Sequence, residues 1–469
     1  MSSAVMPIVR VAVLAESRLT EMALPAELPL REILPAVQRL VAPDGDTDVE
    51  QAATPTRLSL APIGGAPFSL DASLDTVGVV DGDLLALQPL PTGPAAPGIV
   101  EDIADAAVIF SASRFKPWGI VHIQRGALVA VVVAILAASG LAVTHRVVTK
   151  APVGLFAVSA IAVLTALAGL VSRARSPRAG VALSIAALVP IAAALTLAVP
   201  GAFGPAHVML AAAGVAAWSL ISLILPTRDR ELAIGVFTAT TVLGIAVLLA
   251  AGAELIWQLP LLSIGCGLIV VALLVTIEAA QLSALCARFP LPVIPAPGDP
   301  TPSAPSVRVL EDLPRRVRVS DAHQSGFIAA AVLLSVLGSV AIALRPETVP
   351  VLGWYVIAAS AAATALRARV WDSAACKAWL LAEPYLVSVV LLVFYTATAR
   401  YVPALAVAGV LTALVLVWVM VALNPPIASP DSYSLPLRRL VGFAASGLDG
   451  SLIPVMAYLV GLFGWVLNR

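Results

Sequence analysis

Four histidines, His122, His145, His207 and His323, and three cysteines, Cys266, Cys286 and Cys376, are the residues this chain offers for metal binding or nucleophilic chemistry. Their spacing argues against both. No HExxH sets two imidazoles one helical turn apart, and the histidines are dispersed along the chain, so a metal site within one copy is not expected. The cysteines form no CxxC, and free thiols in buried or interfacial positions are the simpler reading. A catalytic cysteine needs a nearby base, and none is suggested. A GxxxxGK[ST] loop, which cradles nucleotide phosphates on backbone N–H groups, does not occur either. Nucleotide-driven work therefore belongs to a partner. No cofactor is expected, and nucleic acid is not among the expected partners.

Ion-coupled carriers place acids, histidine or arginine at mid-membrane depth. Here Glu254, Glu278, Glu383, Arg400 and Asp449 fall near the ends of apolar segments whose cores are Ala, Val, Leu, Ile and Gly with occasional Ser or Thr. Glu383, beside Pro384, is the strongest candidate for a buried charge, but the cost of depth favours an interfacial place near Lys377. A secondary transporter of a small solute is thus the second reading of function. A membrane enzyme is third, for want of paired acids or of a nucleophile with its base.

The elements that must position these side chains are helices in lipid. Eleven apolar segments follow a soluble stretch: Gly126 to Val143, Pro152 to Val171, Gly180 to Val199, Pro205 to Leu225, Leu232 to Ala251, Leu255 to Ile277, Gly326 to Leu344, Val349 to Leu366, Trp379 to Ala399, Val402 to Leu423 and Gly447 to Val466. The first, at about 1.5 Å per residue, gives roughly 27 Å of helix, close to the thickness of a hydrocarbon core. Lipid offers no partner for a free N–H or C=O, so runs of this length satisfy their backbone as helices. The composition agrees: 60% of residues are hydrophobic and 12% charged, with a mean hydropathy of +0.98. The expected fold is a polytopic α-helical membrane protein with eleven transmembrane helices and an N-terminal cytoplasmic domain. Pro190, Pro260 and Pro454 are expected to kink their helices.

A net charge of zero hides a division. Residues 1–105 hold 15 acids against 5 arginines, and the remainder 23 basic residues against 13 acids. Basic residues near span ends stay on the cytoplasmic side. With the N-terminus inside, the cytoplasmic connections carry 18 Lys and Arg and the opposite side five, Arg146, Lys150, Arg345, Arg400 and Arg469. The expected orientation is N-terminus cytoplasmic, C-terminus periplasmic. The stretch Val5 to Leu14, interrupted by Arg10, is too short for a cleavable signal and reads as a strand.

A second strand, Leu19 to Leu24, makes a hairpin with the first. Leu30, Ile33, Leu34, Val37, Leu40 and Val41 then share a helical face, with Pro35 expected to kink the helix or delay its start. Short strands are expected at Arg57 to Ala61 and Pro67 to Leu70, and an Asp81-Gly82 turn leads into a last strand, Leu84 to Leu90. Hairpin, helix and short strands within about 90 residues suggest a ubiquitin-like β-grasp over 1–90.

Residues 91–125 read as a linker and juxtamembrane helix, opening with the Pro-rich tether Pro89 to Gly98. Spans one to six occupy 126–277 and spans seven to eleven 326–469. Between them, 278–325 is a cytoplasmic loop with seven prolines in Pro290 to Pro305 and the basic run LPRRVRV, Leu313 to Val319. Arg315, Arg316 and Arg318 could lie on anionic lipid or grip an acidic partner, and an ordinary basic loop is the plain alternative. Asp81 and Asp83 of the acidic domain are candidates for a basic partner surface. Ala331, Ser335, Ser339 and Ala343, every fourth residue, form a small-residue ridge where another helix could approach.

Four stretches resemble a known family, the EccD membrane subunit of type VII, or ESX, secretion systems of mycobacteria: LPLREILPAV (Leu28 to Val37), SLDTVGVVDGDLLALQPL (Ser73 to Leu90), the loop Phe289 to Ser320, and SLPLRR (Ser434 to Arg439). The resemblance covers nearly the whole chain and looks closest to the subunit of the third mycobacterial system, associated with iron and siderophore use. It implies a non-enzymatic scaffold in the bacterial inner membrane, assembling with EccB, EccE and the ATPase motor EccC. It also implies pairing with a second copy, contact with membrane lipids around an enclosed space, and docking of the motor by the ubiquitin-like domain.

Overall fold

The computed structural model describes residues 7–15, 18–41, 58–63, 65–89, 118–225, 230–289, 307–424 and 434–467. They belong to two compact units, Met1–Trp118 and Gly119–Arg469. The Pro-rich tether, the juxtamembrane stretch up to residue 117 and the proline run of 290–305 lie outside the described residues.

In the first unit β1 (Ile8–Ala15) and β2 (Arg18–Pro25) form the expected antiparallel hairpin. β4 (Leu84–Pro89) runs parallel to β1 and antiparallel to β3 (Leu58–Pro62), so the sheet order is β2-β1-β4-β3. The helix α1 (Leu30–Val41) lays Leu30, Ile33, Leu34, Val37 and Val41 against Val11, Val13, Leu60 and Leu85 of the sheet. Each aliphatic side chain so buried contributes about 1.5–3 kcal/mol, which makes this face the unit's main stabilisation. The arrangement is the β-grasp of a ubiquitin-like domain.

Three local expectations change. α1 starts at Leu30 in spite of Pro35, because its first free N–H groups are bonded elsewhere: Leu30 donates to the Ala72 carbonyl and Arg31 to that of Leu70, each at 2.9 Å. Leu40, assigned to the apolar stripe, is 64% exposed. Pro67 to Leu70 is not a strand; Phe68 meets β3 through two bonds, its N–H to Leu60 and its carbonyl to the Ser59 hydroxyl, rather than through a ladder.

The second unit is helical throughout: α2 (Ile120–Thr149), α3 (Val153–Arg175), α4 (Pro177–Ala186), α5 (Leu188–Ala198), α6 (Pro205–Ile224), α7 (Arg230–Trp257), α8 (Leu261–Cys286), α9 (Val307–Ala343), α10 (Val351–Arg367), α11 (Ala374–Ala397), α12 (Tyr401–Leu423), α13 (Leu435–Leu459) and the short α14 (Leu462–Leu467). With α4 and α5 as one broken span, eleven helices among the described residues are long and apolar enough to cross a membrane. The break follows from Pro190, which lacks the N–H that would bond the Ala186 carbonyl. Pro454 lies inside α13, whereas Pro260, expected within a helix, sits at the N-cap of α8 after a left-handed Gln258.

α9 is the central helix. It packs on α7, α8, α10 and α11, and 78% of its apolar window is buried, against 11% for α2 and 6% for α12. The last two present apolar side chains outward, as lipid-facing helices do.

Boundaries shift where polar residues continue a helix beyond its apolar core. α9 has 37 residues, about 55 Å of helix, and takes in the LPRRVRV run placed by sequence in a loop. α11 begins at Ala374 rather than Trp379, and α13 at Leu435 rather than Gly447. The apolar runs mark where lipid is, not where the helix begins.

Candidate interaction sites and a buried polar cluster

The N-terminal acids are turn formers. Asp81 Oδ1 accepts the Arg10 backbone N–H at 2.6 Å, and Asp83 Oδ2 accepts that of Val80 at 2.9 Å. Gly82 between them has φ +92, a left-handed value that an L side chain resists, and donates to the Arg10 carbonyl at 2.8 Å. Asp81 stays exposed while performing this task.

The three arginines of the basic run lie on α9, and they differ. Arg316 is committed inside the chain: Nε donates to Asp312 Oδ2 at 2.8 Å, and Nη1 to the Arg288 carbonyl just past the end of α8. Arg315 reaches Asp312 at 3.7 Å and Arg318 reaches Glu231 of α7 at 3.7 Å, yet their side chains are 60% and 63% exposed. Such solvated pairs contribute about 0–1 kcal/mol, so both guanidiniums remain exchangeable.

The small-residue ridge is filled by the chain itself. Ala331 is 2% exposed, Ser335 3%, Ser339 0% and Ala343 0%. Ala331 packs with Ala246 of α7 and Leu268 and Ala272 of α8. Ser335 donates its hydroxyl to Glu383 Oε1 of α11 at 2.6 Å. The ridge does serve helix approach, but within one copy, and leaves Ala331, Ser335 and Ser339 closed to a second chain.

Sequence reasoning put Glu383 and Asp449 near span ends; both lie in the middle of their helices. Glu383 is the tenth residue of α11, roughly 13 Å along it, and is 1% exposed. The extra helical turns before Trp379 and Gly447 carry the acids inward. Glu383 Oε2 has no hydrogen-bond partner among the described residues, and Thr364 lines the same void as the carboxyl. Asp449 of α13 grips Arg367, the last residue of α10: Nε donates to Oδ2 at 3.2 Å and Nη2 to Oδ1 at 2.5 Å. Arg367, 14% exposed, also lines a void of about 10 Å³ with Glu383, Ser335, Ser360, Thr364 and Thr276. Nothing in the spacing of Arg367 and Asp449, 82 positions apart, announces the pair. An arginine closing one span and an acid inside another was the available signal.

The histidines do local work. His122 and His207, each at the third position of its helix, accept through Nδ1 the backbone N–H of Gly119 and Gly204 at 3.3 and 3.2 Å. These are imidazole versions of the capping box. The His323 Nδ1 bonds the Thr238 hydroxyl at 2.8 Å and so ties α9 to α7. Cys266 and Cys376 are buried and Cys286 is exposed. Among the described residues no three of His, Cys, Asp and Glu come together as metal ligands would.

Residues 123–468 match the EccD-like transmembrane domain, and residues 8–87 match YukD, a protein of the WXG100 protein secretion system. The chain is similar to the ESX-3 secretion system protein EccD3 of Mycobacterium tuberculosis, with 75% identity over all of both chains. With the EccD3 of Mycolicibacterium smegmatis it shares 62% identity over 99% of each. Among solved structures, protomer 1 of the ESX-3 core complex superimposes with a TM-score of 0.69 at 61% identity, covering 98% of this chain and 100% of that one. A grasp-fold unit ahead of eleven apolar helices, matched from end to end at such identities, leaves one assignment: the chain belongs to the EccD family.

Proposed function

We propose that this chain is a structural subunit, without catalytic activity of its own, of an ESX-3-type secretion complex in the bacterial inner membrane. The observation that carries the reading is the full-length likeness to a protomer of the ESX-3 core complex. The packing is consistent with it physically: the helices bury small and aliphatic residues against one another. Energy comes from a partner motor.

On this reading the N-terminus is cytoplasmic and the C-terminus periplasmic, as the 18 to five distribution of basic residues favours. The partners are EccB, EccE, the EccC ATPase, a second copy of this chain and lipid, and the cargo is small helical proteins linked to iron and siderophore use. Arg315 and Arg318, the solvated members of the basic run, and the acidic face around Asp81 and Asp83 are the surfaces offered to partners.

Among the described residues, the buried Glu383 and the nearby Arg367–Asp449 pair are features a solute carrier would share. Reconstitution of the chain alone into sealed vesicles separates the readings. A structural subunit leaves solute gradients untouched, whereas uptake abolished by Glu383→Gln marks a transporter.

A further inference from the structure

Glu383 of α11 and Arg367 of α10 line one void, and Arg367 is held in turn by Asp449 of α13, so three ionisable side chains are linked through one arginine. Two are acids and one is a base. With both acids ionised the group carries a net negative charge beside a void lined by a single cation, Arg367. Arg367 cannot neutralise both, because it carries one positive charge against two carboxylates, and its Nε and Nη2 donate to Asp449. The elements around Glu383 offer no other cation: α9 brings the Ser335 hydroxyl, α8 Thr276, and α10 Thr364 and Ser360. Arg369, after α10, lies against Gly442 of α13, and Lys377 is six residues earlier on α11. α12, which packs on the same helix, holds no charged residue. His323 of α9 is engaged with Thr238.

The oxygens of Glu383 are unequal in a way that fits a neutral acid. Oε1 accepts a hydrogen bond from Ser335 at 2.6 Å, as a carbonyl oxygen would. Oε2 is buried without a partner among the described residues, and Glu383 borders the void, whose size suits about one water molecule. An O–H on Oε2 would donate into that space.

We propose that this cavity is a proton-binding site, in which Glu383 holds the proton on Oε2 while Arg367 holds Asp449, and that the proton and the arginine are alternative partners of Glu383. On release, the O–H bond breaks, the electron pair remains on the carboxylate, and a water in the cavity takes the proton. The carboxylate then competes with Asp449 for Arg367. The site adds a proton equilibrium to a structural subunit and needs no transported solute.

The test is infrared difference spectroscopy on the full chain in its detergent-extracted complex. Wild type minus Glu383→Gln should show, at neutral pH, a protonated-carboxyl C=O band that vanishes on alkalinisation. Ser335→Ala keeps the acid but removes the donor to Oε1, and should move the band to higher frequency; this reads the site even where the Gln variant does not fold. Asp449→Asn frees Arg367 for Glu383 and should abolish the band at neutral pH. A difference spectrum containing only carboxylate bands, a band unmoved by Ser335→Ala, or one that survives Asp449→Asn would overturn the proposal. So would a band that responds to added sodium ions in place of pH.

Discussion

Gly265 of α8 and Gly338 of α9 face each other so closely that a Cβ on Gly265 would lie 2.6 Å from the Gly338 carbonyl oxygen, and one on Gly338 2.7 Å from that of Gly265. The crossing exists because both residues lack a side chain, and lipid-embedded helices associate by such close packing. Gly338→Ala should destabilise the bundle by about 1–3 kcal/mol, the usual range for overpacking. Gly267→Ala, two residues after Gly265 on α8 where nothing lies within 4 Å, is the control and should leave stability unchanged or slightly raised. Thermal unfolding of the detergent-extracted chain measures both.

The ion pair between Arg367 and Asp449 fastens α13 to α10, its main neighbour. Arg367→Met should cost roughly 3 kcal/mol, at the low end for a pair broken on one side because Asp449 remains 33% exposed. The double variant Arg367→Met, Asp449→Leu should recover part of that loss, since the stranded charge is gone. A double-mutant cycle on thermal stability that shows simple additivity would disprove the coupling.

Asp81→Ala should weaken the ubiquitin-like unit by about 1–2 kcal/mol, through loss of a charge-assisted bond to the Arg10 N–H. Hydrogen exchange in the full chain should show faster exchange along β1, with α8 and α9 unaffected. Protection of β1 equal to wild type would assign Asp81 to partner binding alone.

Charge reversal at Arg315 and Arg318 should leave the bundle as stable as before, because both side chains are mostly solvated. Co-purification with other subunits should fall, and the fall should be larger at low ionic strength. Arg316→Ala differs: it opens the corner between α8 and α9 and should lower stability by about 1 kcal/mol.

Deleting residues 1–95 should leave membrane insertion intact, since every apolar span follows that stretch, and should weaken association with the ATPase motor. Affinity capture of that subunit at unchanged yield would refute the docking role of the N-terminal unit.

Much of the fold was legible because two strong physical signals coincide with it. Runs of apolar residues long enough to span lipid gave all eleven helices. The face of Leu30, Ile33, Leu34, Val37 and Val41 gave the helix that covers the sheet. Helix ends were less legible, since a polar turn such as Leu435 to Gly442 continues a helix by hydrogen bonding alone, and hydropathy is blind to it. The same blindness hid the polar cluster: with α11 and α13 started too late, Glu383 and Asp449 read as interfacial. Ser335 was singled out for its size, and its hydroxyl turns out to matter as much. The grip of Arg367 on Asp449 depends on α10 and α13 being neighbours, which tertiary packing decides and local pattern does not.

The central claim is that this polypeptide works as part of an assembly. Native mass determination of the detergent-extracted complex, with identification of every subunit in it, tests this most directly. The account predicts a large hetero-oligomer containing an ATPase subunit and more than one copy of this chain. A lone monomer or simple homodimer, extracted gently and at full yield, would contradict it.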